Sequence, residues 1–185
     1  MNANEHHITT KTKSRWASVF VLSLLPWLTA CAKDVGPPQP PINLRFEVQK
    51  AGNRAETEMR IVEEKGYWFD LVYRYQQGDM ADAERVRKLA GYSDLDKDNK
   101  LLRPGVSTPL RFKLHIIDGT GERLMLEQEI SELRTTSYGS GRYTKQITSP
   151  LVLKPGRYRV SVESLNDVPE LIGTTVELQI ASRKL

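Results

Sequence analysis

An antiparallel β-sandwich, Ig-like or related, with one short α-helix packed on it is the fold class this sequence predicts. Three observations predict it. Apolar and polar residues alternate with period two in several separate runs. Turn-forming residues such as Asp118-Gly119 and Pro155-Gly156 separate strand-like runs or lead into them. One stretch alone changes to a helical period. Strands with one apolar and one polar face suit antiparallel sheets, which tolerate one wet side. Two such sheets stacked on their apolar faces make a sandwich.

From the N-terminus, Lys11, Lys13 and Arg15 form a positive flank, followed by the apolar run WASVFVLSLLPWL at 16–28 and the small residues Thr29 and Ala30. That is the layout of a secretory signal. A membrane-spanning helix needs about 20 apolar residues, whereas this run has thirteen and contains Pro26. Leu28-Thr29-Ala30-Cys31 resembles a bacterial lipobox, with Cys31, the only cysteine, as the lipidated first residue of the mature chain. Each buried CH₂ contributes about 0.8 kcal/mol, and stable anchoring takes more than one acyl chain. In lipoproteins the cysteine carries diacylglycerol and an amide-linked acyl chain. The aspartate stands at position 34 rather than directly after the cysteine, so by the same resemblance the expected address is the outer membrane, periplasmic face, rather than the inner membrane. Pro37, Pro38, Pro40 and Pro41 read as a stiff tether. The expected organisation is a signal at 1–30, lipidated cysteine and tether at 31–41, and a β-sandwich domain at 42–183.

The strands follow from alternation. INLRFEV at 42–48 sets Ile42, Leu44, Phe46 and Val48 on one side, and WFDLVYRY at 68–75 buries Phe69, Leu71, Tyr73 and Tyr75. Trp68, on the other side of that strand, is expected to pack under the helix. GDMADAERVRKLAG at 78–91 is the helix: Asp79 caps it, Asp82 stands three places on, Ala83, Val86, Leu89 and Ala90 form its apolar stripe, and Gly91 stops it. LRFKLHII at 110–117 turns Leu110, Phe112, Leu114 and Ile116 inward, and DGTG at 118–121 makes a hairpin connection. RYRVSVES at 157–164 buries Tyr158, Val160 and Val162, and VELQI at 176–180 repeats the pattern.

Charge excludes one class of partner. The whole chain carries +4, with a pI near 9.2. Three of its 27 basic residues and one of its 23 acidic residues precede position 31. The remainder is +2, and such a balance does not point to nucleic acid. A single cysteine excludes an internal disulfide and a cysteine zinc site. No cofactor is expected.

Candidate sites are few. SDLDKDNK at 93–100 spaces Asp94, Asp96 and Asp98 as in a calcium loop, but Asn99 replaces the required glycine and Gly105 the bidentate glutamate, so a solvated loop is expected and no metal. His115 alternates outward, and a triad with Asp118 and Ser137 or Ser140 has no supporting motif, so no catalytic residue is assigned. Arg111, Lys113, Arg157 and Arg159 form a candidate basic face if their strands share a sheet, with Glu47, Glu163 and Glu177 available to neutralise it. RTTSYGSGRYT at 134–144 is a candidate binding loop, or equally a strand edge with a flexible hairpin tip. Its Arg134, Tyr138, Arg142 and Tyr143 are residue types that anchor interfaces.

GDMADAERVRKLAG, PGVSTPLRFKLHIID at 104–118 and LKPGRYRVSVES at 153–164 resemble an uncharacterised group of proteobacterial lipoproteins, described only as a domain of unknown function. The resemblance covers roughly 42–183 and implies no activity and no site residues. The expectation is a non-enzymatic, lipid-anchored periplasmic binding module with a protein partner. By analogy of address and fold, a sharper form is an immunity protein against a periplasm-targeted toxin, and the alternative is a structural or assembly accessory of the outer membrane.

Overall fold

The structure, a computed structural model, describes residues 36–92, 97–98 and 102–182, all within the unit Gly36–Leu185. Cys31 and the signal-like run lie outside the described residues, as do Asp94 and Asp96 of the calcium-like spacing. No described helix is long and apolar enough to cross a membrane.

In chain order the elements are β1 (Ile42–Arg45), β2 (Arg54–Ile61), β3 (Lys65–Arg74), α1 (Met80–Ala90), β4 (Leu110–Asp118), β5 (Gly121–Ile130), β6 (Arg134–Gly139), β7 (Arg142–Gln146), β8 (Leu151–Leu153), β9 (Gly156–Ser164) and β10 (Thr175–Ser182). One antiparallel sheet has the order β1-β10-β3-β7-β6, with β8 pairing the start of β3; the other has the order β2-β9-β4-β5. This is the expected antiparallel sandwich with one helix.

The alternation does what periodicity requires. Phe69, Leu71, Tyr73, Val176, Leu178 and Ile180 from the larger sheet meet Phe112, Leu114, Val160 and Val162 from the smaller one, all buried. Phe69 and Phe112 join the two layers edge to face, with ring centroids 5.1 Å apart. Alternation does not mark every strand, and β2 and β5 show why. In β2 only Ala55, Met59 and Ile61 are buried among charged residues. In β5 a register shift opposite Leu114/His115 breaks the period, so LMLEQEI shows no clean two-residue pattern.

The proline run at 37–41 does not stand clear of the domain throughout: the Pro38 carbonyl accepts the Arg60 N–H of β2 at 2.9 Å.

Helix α1 begins and ends where its caps require. Asp79 Oδ1 accepts from the Ala81 and Asp82 N–H groups at 2.9 and 3.0 Å. Asp82 does not close a capping box on Asp79; its Oδ2 takes the Gln76 N–H at 2.7 Å instead. Gly91 ends the helix at φ 78°. The helix lies on the inner side of the larger sheet at its β7–β6 end, with Val86 and Ala90 in the core and the Thr135 hydroxyl donating to the Ala90 carbonyl at 3.1 Å. Trp68 is half-buried on the opposite face of β3 and so does not pack under the helix. Strand alternation sends residues 67, 69 and 71 one way and 68 the other.

Candidate functional site

Strand register decides where the 134–144 residues go. The segment is a hairpin, β6–β7, closed by Ser140 and Gly141, both at positive φ. Residues paired across strands share a face, so Tyr138 sits beside Tyr143 and Tyr143 beside Tyr73, all on the inner side. Arg134 and Arg142 pair with Gln146 and Gly139 and project from the other side. The four candidate residues therefore do not form one patch. Two tyrosines enter a cleft, and two arginines flank the same edge from behind.

The cleft, about 580 Å³, lies between α1 and the hairpin. Met80, Glu84 and Arg87 line it from the helix, Tyr92 from the segment after it, and Thr135, Tyr138 and Tyr143 from the strands. Tyr143 packs at 5.5 Å from the Tyr75 ring, and burial pushes its phenol up from the ordinary range. Tyr138 stacks at 6.5 Å and 24° from Tyr143 yet remains 80% exposed. Such a ring offers apolar area at little entropic cost to whatever covers it.

Helix spacing supplies the polar wall. Glu84 and Arg87 stand three apart and pair directly. Arg87 holds the Glu84 carboxyl below its usual range, and Glu84 raises Arg87 in turn. The Arg87 guanidinium also lies over the Tyr92 ring at 4.8 Å, with Arg103 at 4.9 Å from the same ring. Tyr92 is held there by two glycines. Gly91 and Gly105 approach so closely that a Cβ on Gly91 would lie 2.5 Å from the Arg103 carbonyl oxygen, and both have positive φ. Backbone bonds from Tyr92 N–H to Arg103 O and from Val106 N–H to Leu89 O close the pinch at 2.7 and 2.9 Å.

On the cleft walls the Thr135 hydroxyl is committed to the Ala90 carbonyl, Glu84 pairs with Arg87, and no histidine lines the cleft among the described residues. Arg87, Tyr92 and Met80 escaped the sequence reading because they belong to the helix and its exit, far along the chain from Tyr138. The arginine–tyrosine spacing at 87 and 92 was the available signal.

The basic face is assembled and neutralised together. Arg111, Lys113, Arg157 and Arg159 all lie on the outer side of the smaller sheet, because β9 and β4 are neighbours in register. Each meets a glutamate. Arg111 bonds Glu129 at 2.7 Å and lies 3.6 Å from Glu163, Lys113 bonds Glu127 at 3.0 Å, and Arg157 and Arg159 share Glu58 at 2.9 and 2.6 Å. Arg159 also pairs with Glu122. Of the neutralising acids read from sequence only Glu163 acts here; Glu177 pairs with Arg74 on the other sheet. β2 and β5 supply the rest. The result is a cross-strand charge lattice rather than a cationic patch. His115 belongs to it, with Nδ1 3.6 Å from Glu122, while Ser137 lies on the other sheet, so the two do not meet.

Comparison with known proteins adds the family. No curated protein matches the chain. The crystal structure of GEBA250068378 from Sulfurospirillum deleyianum is similar, with a TM-score of 0.62 and 24% identity over 78% of this chain and 98% of that one. At that identity the likeness speaks for the fold alone. The family described as a domain of unknown function (DUF5625) matches residues 41–182, spanning the whole sandwich and its helix, and the chain belongs to that family.

Proposed function

We propose that the protein is a lipid-anchored binding module on the periplasmic face of the outer membrane, holding a protein partner in the cleft between α1 and the β6–β7 hairpin. The observation that carries the binding half is the exposed Tyr138 ring beside Tyr143 at the mouth of a cavity walled by Arg87 and Tyr92. A large aromatic left uncovered next to a cavity is where interface energy concentrates. The anchoring half is supported by the positive flank, apolar run and LTAC ending at Cys31.

Two experiments test it. Labelled palmitate is expected to enter the wild-type chain and to be absent from the Cys31→Ser chain; equal labelling, or none in either, refutes the anchor. A photo-crosslinking residue at Met80, on the cleft, is expected to capture a recurrent envelope protein that the same residue at Val152, an exposed site on β8, does not. Equal capture from both positions removes the cleft from the proposal. Neutralisation of a toxin is the sharper form of this reading. It requires that deleting the gene alone kills cells in which a periplasm-targeted toxin is active, and a silent deletion there sinks it.

A further inference from the structure

We propose that the partner binds by strand addition: an extended, acidic segment pairs with the open edge of β6 and lays an apolar or aromatic side chain into the cleft against Tyr138. This rests on the cleft being the binding site.

The backbone supplies the first argument. Tyr75 N–H donates to Gly141 O at 3.0 Å, which makes Arg74 and Arg142 a non-bonded pair between β3 and β7. The polar groups of Arg142 therefore turn toward β6, where it pairs with Gly139 across the turn. The next pair, Tyr138 with Tyr143, is then non-bonded, so the Tyr138 N–H and C=O point away from β7. Among the described residues no strand lies on that side. A polypeptide in extended form presents alternating donors and acceptors at the matching repeat, about 3.4 Å per residue. A glycan does not.

The other sheet edges are less suited. β2 already gives the Arg60 N–H to Pro38, β1 is four residues long, and β5 carries the register shift and a row of glutamates. The cleft beside β6 is lined by aromatic rings, whereas the pocket at the β1 and β2 edges is lined by Arg45, Glu47, Asn53 and Arg54. The irregularity of β6 between Thr135 and Ser137 confines regular pairing to the stretch from Ser137 to the turn. A peptide laid there alternates its side chains, one set toward the cleft and the other toward the face of Arg134 and Arg142.

Charge selects the segment. Neither Arg134 nor Arg142 has an ion-pair partner among the described residues, and Arg103 is exposed on the Tyr92 ring. Glu84, the acid lining the cleft, is held by Arg87. The edge thus offers, on both sides of the pairing line, cations without an ion-pair partner among the described residues, which favours aspartate or glutamate in the incoming strand.

The test pans a displayed library of random dodecapeptides against detergent-solubilised full-length protein. Expected binders are rich in Asp and Glu, carry one aromatic or large apolar residue, and lose at least about tenfold in affinity when alternate backbone amides are N-methylated. Tyr138→Ala, at a solvent-exposed ring, is expected to weaken them similarly while the thermal unfolding curve stays in place. Binders that need Tyr138 but tolerate N-methylation overturn strand addition and leave the cleft standing, as does a chitotetraose probe whose binding depends on Tyr138. Binders indifferent to Tyr138→Ala overturn both readings. A selection without binders, or without acidic enrichment, overturns the acidic strand.

Discussion

Replacing Lys145 with methionine is expected to stabilise the protein at neutral pH and to abolish a rise in stability that the wild type shows on mild alkalinisation. Lys145 lies on the inner side of β7, 2% exposed, with its Nζ donating to the Pro104 carbonyl at 3.1 Å and 5.9 Å from the Tyr73 ring centroid. No carboxylate pairs with it among the described residues. Burial alone pushes its amine down from 10.5 to about 8. Below pH 8 both folded and unfolded chains are protonated and the full cost of the buried charge is borne. Between 8 and 10.5 the unfolded chain binds more protons, so stability climbs with pH. With one pKa unit worth about 1.4 kcal/mol, the gain between pH 7 and 9.5 is about 2 kcal/mol. The range stops there because Tyr73, raised to about 12 by burial, opposes the trend once unfolded tyrosines ionise near 10. Methionine matches the length of the stem and removes the charge. The hydrogen bond it forfeits contributes about 1 kcal/mol, and the exposed Pro104 can turn to water. The variant should therefore be more stable by about 2 kcal/mol at pH 7 and show a flat profile to pH 9.5. Urea unfolding across that range measures both. A wild-type profile that is flat or falling, or a variant weaker at pH 7, refutes the reasoning.

Other outcomes follow from particular contacts. Gly91→Ala should cost well over the roughly 1–2 kcal/mol of a left-handed backbone alone, since its Cβ would also meet three backbone atoms at 2.5 Å. Gly52→Ala, at φ +80° in open space, should cost only the backbone share, and equal denaturant midpoints for the two would remove the close approach from the account. Glu58 is held below its usual carboxylate range by its hydrogen bonds to Arg157 and Arg159. Its contribution is therefore present above the unfolded value and lost as acid protonates it in the fold. Glu58→Gln should flatten the acid limb of the stability profile, and an unchanged limb would show that the lattice does not couple to folding.

Strand interiors were readable wherever one face is buried without interruption. Phe112, Leu114, Val160 and Leu178 announce themselves by period, because a buried face and a wet face must alternate. The same rule failed for β5, where the register shift inserts a residue and reverses the faces, and for β2, whose inner Thr57 sits among charges. At 134–144 the sequence left open a binding loop or a strand edge with a hairpin tip, and the structure has the hairpin. Four interface-type residues close in sequence looked like one surface, yet a strand divides neighbours between its two sides, and Arg134 and Arg142 part from Tyr138 and Tyr143.

What the sequence by itself determined is local: the helix between Asp79 and Gly91, the turns at Asp118-Gly119 and Pro155-Gly156, the inward residues of the regular strands, and the LTAC pattern that directs the expected address. Each depends on backbone preference or on spacing within a few residues. Only the tertiary structure decided that β9 lies between β2 and β4 and that Lys113 faces Glu127 across β4 and β5, so that Glu58 and Glu127 reach the arginines and lysine of the supposed basic face. It alone brought Arg87 and Tyr92 across from Tyr138 to make a cleft beside a strand edge that no other described strand pairs. Those meetings join residues dozens of positions apart, and the order in which strands pair, not the pattern within any one of them, sets which charges and rings share a surface.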